Sequence, residues 1–204
     1  MGLVFDAVLL AGGRASRVHG ADKTAFTTGD ATLLDRAVDA STGARALVVV
    51  GLRDGRVPPA GALLTREEPA RSGPVAALAA GLDVVDDTAP WTLVLACDLP
   101  RAPEAVRALL AGGGADGERR DGLLAVDPDG RRQPLLGLYR TGALETRLTT
   151  LRAHGPLVGL SLRRLLDGLD LVEVSVPDAL CADVDTVADA DRLGVVRREA
   201  DATG

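Results

Sequence analysis

The 204-residue chain contains no isoleucine and no asparagine, a single lysine (Lys23), a single glutamine (Gln133), two cysteines and four aromatic residues. With only Phe5, Phe26, Trp91 and Tyr139 to offer, it has no base-stacking platform for single-stranded nucleic acid. Basic charge is also short. The 23 Lys+Arg stand against 29 Asp+Glu, a net charge of −6, without the basic field that nucleic-acid binding uses. Cys97 and Cys181 are too few for a disulfide framework. No apolar run approaches the roughly 18 residues of a membrane span. The opening MGLVFDAVLLAGG carries Asp6 and no leading positive cluster, so it does not read as a signal peptide. A reduced, cytoplasmic protein is expected, with neither nucleic acid nor membrane as partner.

What is there fits an ordinary globular chain, 47% hydrophobic and 25% charged. The length argues for one domain, which buries about 70% of its unfolded surface. That core must be built from Val, Leu and Ala. Arginine outnumbers lysine 22 to 1, a bias against which Lys23 and Gln133 stand out.

Short apolar runs alternate with helical spacings. AVLLA (7–11), ALVVVG (46–51) and TLVLACD (92–98) read as buried strands, and GLLAVD (122–127) and PLLGLYR (134–140) as two more around a turn at Asp129-Gly130. A further strand is expected near 170–176. Helical patterns cover 33–41, 73–82, about 103–110, 141–152 and 160–167, with a short helix after Asp185. The expected fold is α/β: a Rossmann-like three-layer sandwich with a mostly parallel sheet, one domain over 1–196. GGGADGERRDG (112–122) reads as a mobile surface loop or insertion, and 197–204 as a disordered tail.

In such sheets a ligand sits beyond the carboxyl ends of the strands, which directs attention to the residues just after 7–11, 46–50 and 92–97 and near 183–185; four segments of the chain carry candidates. The first is LAGGRASRVHGADK (10–23), where a strand ends in Gly12-Gly13 and a polar loop carries Arg14, Arg17 and Lys23. Glycines let backbone N–H groups approach an anion, and Arg and Lys add charge for phosphate oxygens. Neither a Walker A loop nor a dinucleotide fingerprint fits, because Asp22 precedes Lys23 and position 14 is Arg. The second is Asp98 in LACDLP (95–100), either a ligand for a hard cation or the cap of the helix that follows. The third is ADVDTVADADRL (182–193), where Asp183 and Asp185 alternate along an extended segment. One of them, Asp185, is assigned to a metal and the other to a helix cap, against the plain reading of two solvated aspartates. The fourth is Gln133 in GRRQPLLGLY (130–139), which either orients an acceptor or bonds a turn. Ser72-Gly73-Pro74 is either a simple helix start or an N-terminus offered to an anion. Cys97 reads as core, and His19 and His154 as isolated residues.

The pattern L-A-G-G-x-x-x-R-x-x-G-x-x-K resembles the signature loop of the nucleotidyltransferase superfamily. With REEP and SGPVAAL (66–78), ACDLP (96–100), RQPLLGLY (132–139) and DVDTVADADRL (183–193), nearly the whole chain resembles the molybdenum cofactor guanylyltransferase family. The resemblance implies transfer of GMP from GTP to Mo-molybdopterin with release of pyrophosphate. It implies that Leu10, Ala11, Gly12, Gly13 and Lys23 hold GTP, that Glu67 is an acidic nucleotide contact, and that Asp98 binds Mg²⁺. His19 stands where the family usually has glycine, and Val18 replaces its Met or Leu. Gly51, counted among the nucleotide-binding positions, stands where the family often has asparagine. Arg17 and Lys23 are the expected catalytic charges.

The substrates expected are GTP and molybdopterin, with transient contact to other cofactor-biosynthesis proteins. Two rivals remain: a related nucleotidyltransferase using CTP or another nucleotide on a different phosphorylated acceptor, and a nucleotide-binding module without catalysis.

Overall fold

The computed structural model describes residues 3–12, 24, 26–117, 119–184 and 186–197. A seven-stranded sheet runs in the order β5-β4-β1-β6-β8-β7-β9. Its strands are β1 (Phe5–Leu10), β4 (Leu47–Val50), β5 (Leu63–Thr65), β6 (Trp91–Ala96), β7 (Gly122–Val126), β8 (Arg132–Arg140) and β9 (Leu171–Ser175). Only β8 runs against the rest, since it pairs antiparallel with both β6 and β7 while the other pairings are parallel. The expected mostly parallel sheet is therefore present, and the hairpin expected at Asp129-Gly130 joins β7 to β8 with Gly130 at φ +79°.

The two-residue period of the strands divides their side chains between two layers. Phe5, Ala7 and Leu9 of β1, Val49 of β4, and Trp91, Leu93 and Leu95 of β6 face α1 (Leu33–Ala40) and α3 (Ala102–Gly112). Val8, Leu10, Val48, Val50 and Val94 face α2 (Pro74–Asp83), α5 (Thr141–His154) and α6 (Leu162–Leu166). Burial on both faces is why β1 and β6 read as unbroken apolar runs rather than alternating ones.

The shortest elements leave no clear signal in the sequence. β2 (Phe26–Thr28) and β3 (Ala31–Thr32) form a hairpin across Gly29-Asp30, and β10 (Val196–Arg197) pairs with β2. This small sheet and α8 (Val187–Arg192) enclose a separate core of Phe26, Leu33, Val184, Ala190 and Val195. β10 takes in Arg197, the first residue of the expected tail, while 198–204 lie outside the described residues.

The glycine-rich 112–122 segment also differs from expectation. α3 continues through Gly112, and α4 (Gly114–Gly117) follows. A β-carbon at Gly112 would lie 2.2 Å from Val174 Cγ1, and one at Gly113 2.5 Å from Leu123 Cδ1. These glycines let the end of α3 pack directly on β7 and β9, so the segment is a packed corner. It leads into the start of β7, at the edge of the sheet opposite the carboxyl ends.

Candidate active site

The site is set by where the strand order reverses. From β1 the chain passes to β4 and β5 on one side, then returns to place β6 on the other, so the switch point lies between β1 and β6. Leu10 pairs with Val50 on one flank and Ala96 on the other. Beyond it, the Ala11 and Gly12 N–H groups both donate to the Val50 carbonyl, at 2.9 and 3.2 Å, and the Cys97 N–H donates to Leu10 O at 3.3 Å. Leu10, Ala11 and Gly12 are thus fixed at the crevice mouth. Gly13, Arg14, Arg17, His19 and Lys23 lie outside the described residues.

Gly51 sits against this turn with φ +76°, and its N–H donates to Thr65 O at 2.9 Å. A β-carbon on Gly51 would stand 3.0 Å from Gly12 Cα, tighter than ordinary contact. The close approach gives the glycine a backbone reason, independent of any base contact.

Asp98, half-buried, follows β6 at the same edge. It is not the cap of α3: that position is Arg101, and no side chain caps the helix. The alternative reading of Asp98 as a helix cap therefore falls away. The Val184 N–H donates to the Asp98 carbonyl at 3.1 Å, which brings the late acidic motif beside it. Asp183 is thus a near neighbour, while Asp185 lies outside the described residues. Asp183, the aspartate expected to cap the helix, does not cap α8. Thr186 does so in a reciprocal capping box with Asp189, whose carboxyl is held below its usual range chiefly by the Thr186 hydroxyl.

Glu67 follows β5 at the same edge, two strands out from β1. Its Oε1 accepts the Arg71 N–H at 2.8 Å, which folds residues 67–71 into a tight loop. Ser72 is buried with its hydroxyl on the Pro69 carbonyl, and α2 begins at Gly73 without a side-chain cap. Gln133 bonds a turn: its Nε2 donates to Asp127 Oδ2 at 3.2 Å, while Asp127 Oδ1 accepts the N–H groups of Asp129 and Arg131. Sequence reasoning misses Asp127, although the D-P-D-G turn around it is a recognisable signal.

Of the cationic residues, Arg132 pairs with Glu173 at 2.6 Å and, with Arg163, lines a cavity of about 400 Å³ floored by Leu124, Pro134 and Leu166. Arg131 lies in the hairpin turn, and the Arg164 carbonyl accepts from Arg147. Cys97 is buried in the core as expected. The Cys181 thiol, also buried, is pushed up to about 11 by burial and by the carboxylates of Asp127 and Asp178. His154 bonds the Thr150 carbonyl in the last turn of α5 and stands apart from the site.

A doubly wound sheet with a glycine turn and an aspartate after the two strands that flank its switch point has the architecture of a nucleotide-binding α/β domain. Residues 7–187 match the MobA-like NTP transferase domain, and the chain belongs to that family of nucleotidyltransferases. Its fold is similar to Rv0371c from Mycobacterium tuberculosis H37Rv, with TM-score 0.72 and 22% identity over 95% of this chain and 98% of that one. It is similar to molybdopterin-guanine dinucleotide biosynthesis protein A from Archaeoglobus fulgidus, with TM-score 0.64 and 20% identity over 93% of this chain and 96% of that one. It is equally similar to 2-C-methyl-D-erythritol 4-phosphate cytidylyltransferase from Thermus thermophilus, with TM-score 0.64 and 20% identity over 94% and 97% of the two chains. At these identities the likeness is one of fold. No curated protein matches the chain. No helix among the described residues is long and apolar enough to cross a membrane.

Proposed function

We propose that the chain transfers GMP from GTP to the terminal phosphate of Mo-molybdopterin and releases pyrophosphate. The observation that carries this reading is that the Leu10-Ala11-Gly12 turn and Asp98 follow the adjacent strands β1 and β6 at the switch point, tied there by the Cys97 N–H on Leu10 O, in a chain of the MobA-like family. The Ala11 and Gly12 N–H groups already donate to the Val50 carbonyl, so in this account Gly13 and the loop after it, with Arg17 and Lys23, bind the triphosphate. Gly51 and Glu67, at the ends of the two neighbouring strands, bound the rest of the nucleotide site.

The donor chemistry fits Mg²⁺. Among the described residues no three His, Cys, Asp or Glu side chains gather into a cage. Mg²⁺ in triphosphate sites uses one or two carboxylates and completes its shell with phosphate and water. Asp98 supplies one such oxygen donor, and Asp185 is assigned as the second. Bound there, Mg²⁺ would offset charge on the phosphates.

The acceptor explains why a general base is unnecessary. A phosphate monoester has its second pKa near about 6 and is already an anion at neutral pH. An acceptor oxygen attacks the α-phosphorus of GTP; that P–O bond forms as the bond to the β-phosphate oxygen breaks, and pyrophosphate leaves with the electron pair. The work left to the protein is in-line placement and charge neutralisation. Arg163 and Arg132 line a cavity near the start of β8 and offer positive charge to the phosphate of an acceptor.

A second reading has its own support. The cytidylyltransferase from T. thermophilus matches the fold as well as the A. fulgidus protein does, and Gly51 lacks an asparagine's amide for base recognition. Competition binding separates the two. The first reading expects GTP, and not CTP, to displace a fluorescent guanine nucleotide and to bind tighter by tenfold or more; a preference for CTP would overturn it.

A further inference from the structure

Tyr139 acts on the cavity at the start of β8 without lining it. That cavity is bounded by Leu124, Arg132, Pro134, Arg163 and Leu166, whereas Tyr139 is fully buried in the core. In the pairing of β7 with β8, Leu124 lies opposite Gly137 and Ala125 opposite Gln133, which leaves Pro134–Leu136 without partners on β7. The Tyr139 ring runs back along its own strand over Gly137, where a β-carbon would fall on the phenol. Its hydroxyl donates to the Pro134 carbonyl at 3.0 Å. Burial raises the phenol well above its usual range, so it keeps its proton and stays a donor. This hydrogen bond ties the bulge, and with it the cavity wall at Pro134, to the core. α6, which carries Arg163 and Leu166, is tied down as well. Arg147 of α5 donates its Nε–H to the Leu165 carbonyl at 3.1 Å and an Nη2–H to that of Arg164 at 3.3 Å.

We propose that Tyr139 is a positioning residue for the acceptor: through Pro134 it sets where Arg132 stands relative to Arg163. The inference rests on the reading of this cavity as the place of the acceptor's phosphate. Two guanidinium groups hold one phosphate well only when both reach its oxygens in line, because such bonds weaken steeply with misalignment. A bulge is a device for re-aiming side chains beside a site. Arg132 is also bonded to Glu173 of β9 at 2.6 Å, so its side chain is not free to absorb a shift of its backbone.

A purely structural hydroxyl would affect stability alone, and Thr92 supplies the comparison. It lies opposite Tyr139 in the pairing of β6 with β8, is equally buried, and bonds the Thr141 hydroxyl at 2.9 Å near the other edge of the sheet. Tyr139→Phe and Thr92→Val each remove one buried hydroxyl and keep the shape of the side chain, so both are expected to fold with a lowered denaturation midpoint. Each is titrated beside the parent with phenyl phosphate, a phosphate monoester, while arginine Nε–H signals are followed by NMR. In the parent the Arg132 and Arg163 signals are expected to shift saturably. Tyr139→Phe is expected to weaken that binding about tenfold, a loss of about 1.4 kcal/mol, and Thr92→Val to leave it unchanged. In turnover, Tyr139→Phe should raise KM for molybdopterin about tenfold, with kcat and KM for GTP close to the parent's. Equal affinity in Tyr139→Phe and the parent, an equal loss in Thr92→Val, or no shift at Arg132 and Arg163 in the parent would overturn the inference. A parent that binds phenyl phosphate in this way yet transfers nothing from GTP would refute the proposed reaction instead, and the titration alone would then decide the role of Tyr139.

Discussion

Gly51 and Gly12 meet backbone to backbone: a β-carbon on Gly51 would lie 3.0 Å from Gly12 Cα and 3.1 Å from Gly12 N. Gly51 also holds φ +76°, a conformation that side chains rarely adopt. Gly51→Val meets both penalties and should cost about 1–3 kcal/mol, the scale of local backbone strain. It should also displace Gly12 and weaken nucleotide binding. Gly51→Asn relieves only the conformational penalty, because asparagine tolerates positive φ, and should lose less. Chemical denaturation and nucleotide titration of both variants measure this; equal stability in Gly51→Val and the parent would refute the contact.

At the opposite edge, Asp6 is buried and receives three partners. Its carboxylate accepts the Ala89 N–H at 2.6 Å, the Ala46 N–H at 3.1 Å and the Arg45 guanidinium at 3.3 Å, and so staples the entries of β1, β4 and β6. Asp6→Ala strands two backbone donors, each costing about 1–3 kcal/mol. The expected result is a marked fall in denaturation midpoint with nucleotide affinity, measured on the folded protein, unchanged. A parallel loss of affinity would mean that the two edges are coupled.

The Cys181 thiol gives the stability a pH signature. Its pKa is raised from 9.0 to about 11 in the folded protein, first by burial and then by Asp127 and Asp178. Below pH 9 both states hold the proton; between about 9 and 11 the unfolded chain loses it first, so stability falls as pH rises through that window. Cys181→Ala should show a shallower alkaline decline in unfolding free energy. The same slope in both proteins would remove Cys181 as the cause.

Two substitutions separate the roles at the site. Asp98→Asn should keep the fold and lose the Mg²⁺ dependence of turnover; a variant that still titrates with Mg²⁺ like the parent would put the ligand elsewhere. Lys23→Ala should lose most of the rate, since a phosphate-bound cation is worth several kcal/mol, about 3–4, in the transition state. Turnover within about threefold of the parent, less than about 1 kcal/mol, would remove Lys23 from that role.

The long elements are legible because their apolar residues are spaced as burial requires: AVLLA and TLVLACD fill both faces of a parallel sheet, and LLDRAVDAS carries one helical stripe. β2, β3 and β10 are not, because strands of two or three residues have no period to count, and only Gly29-Asp30 marks their hairpin. The 112–122 segment misleads because glycine signals a loop, whereas here it admits Val174 and Leu123 side chains. At the site, Asp98 before a proline-led helix reads equally as cap or ligand, and only the position of the cap at Arg101 decides against the first. The approach of Val184 to Asp98, and of Gly51 to Gly12, joins residues far apart in the chain and leaves no local trace.

The most direct test follows the α-phosphate. GTP and, in parallel, CTP labelled at that position are incubated with the protein and molybdopterin, with and without Mg²⁺. The account predicts label in the pterin product from GTP alone, only when Mg²⁺ is present, with one pyrophosphate released per transfer. Label from CTP, or none from either nucleotide, would contradict it.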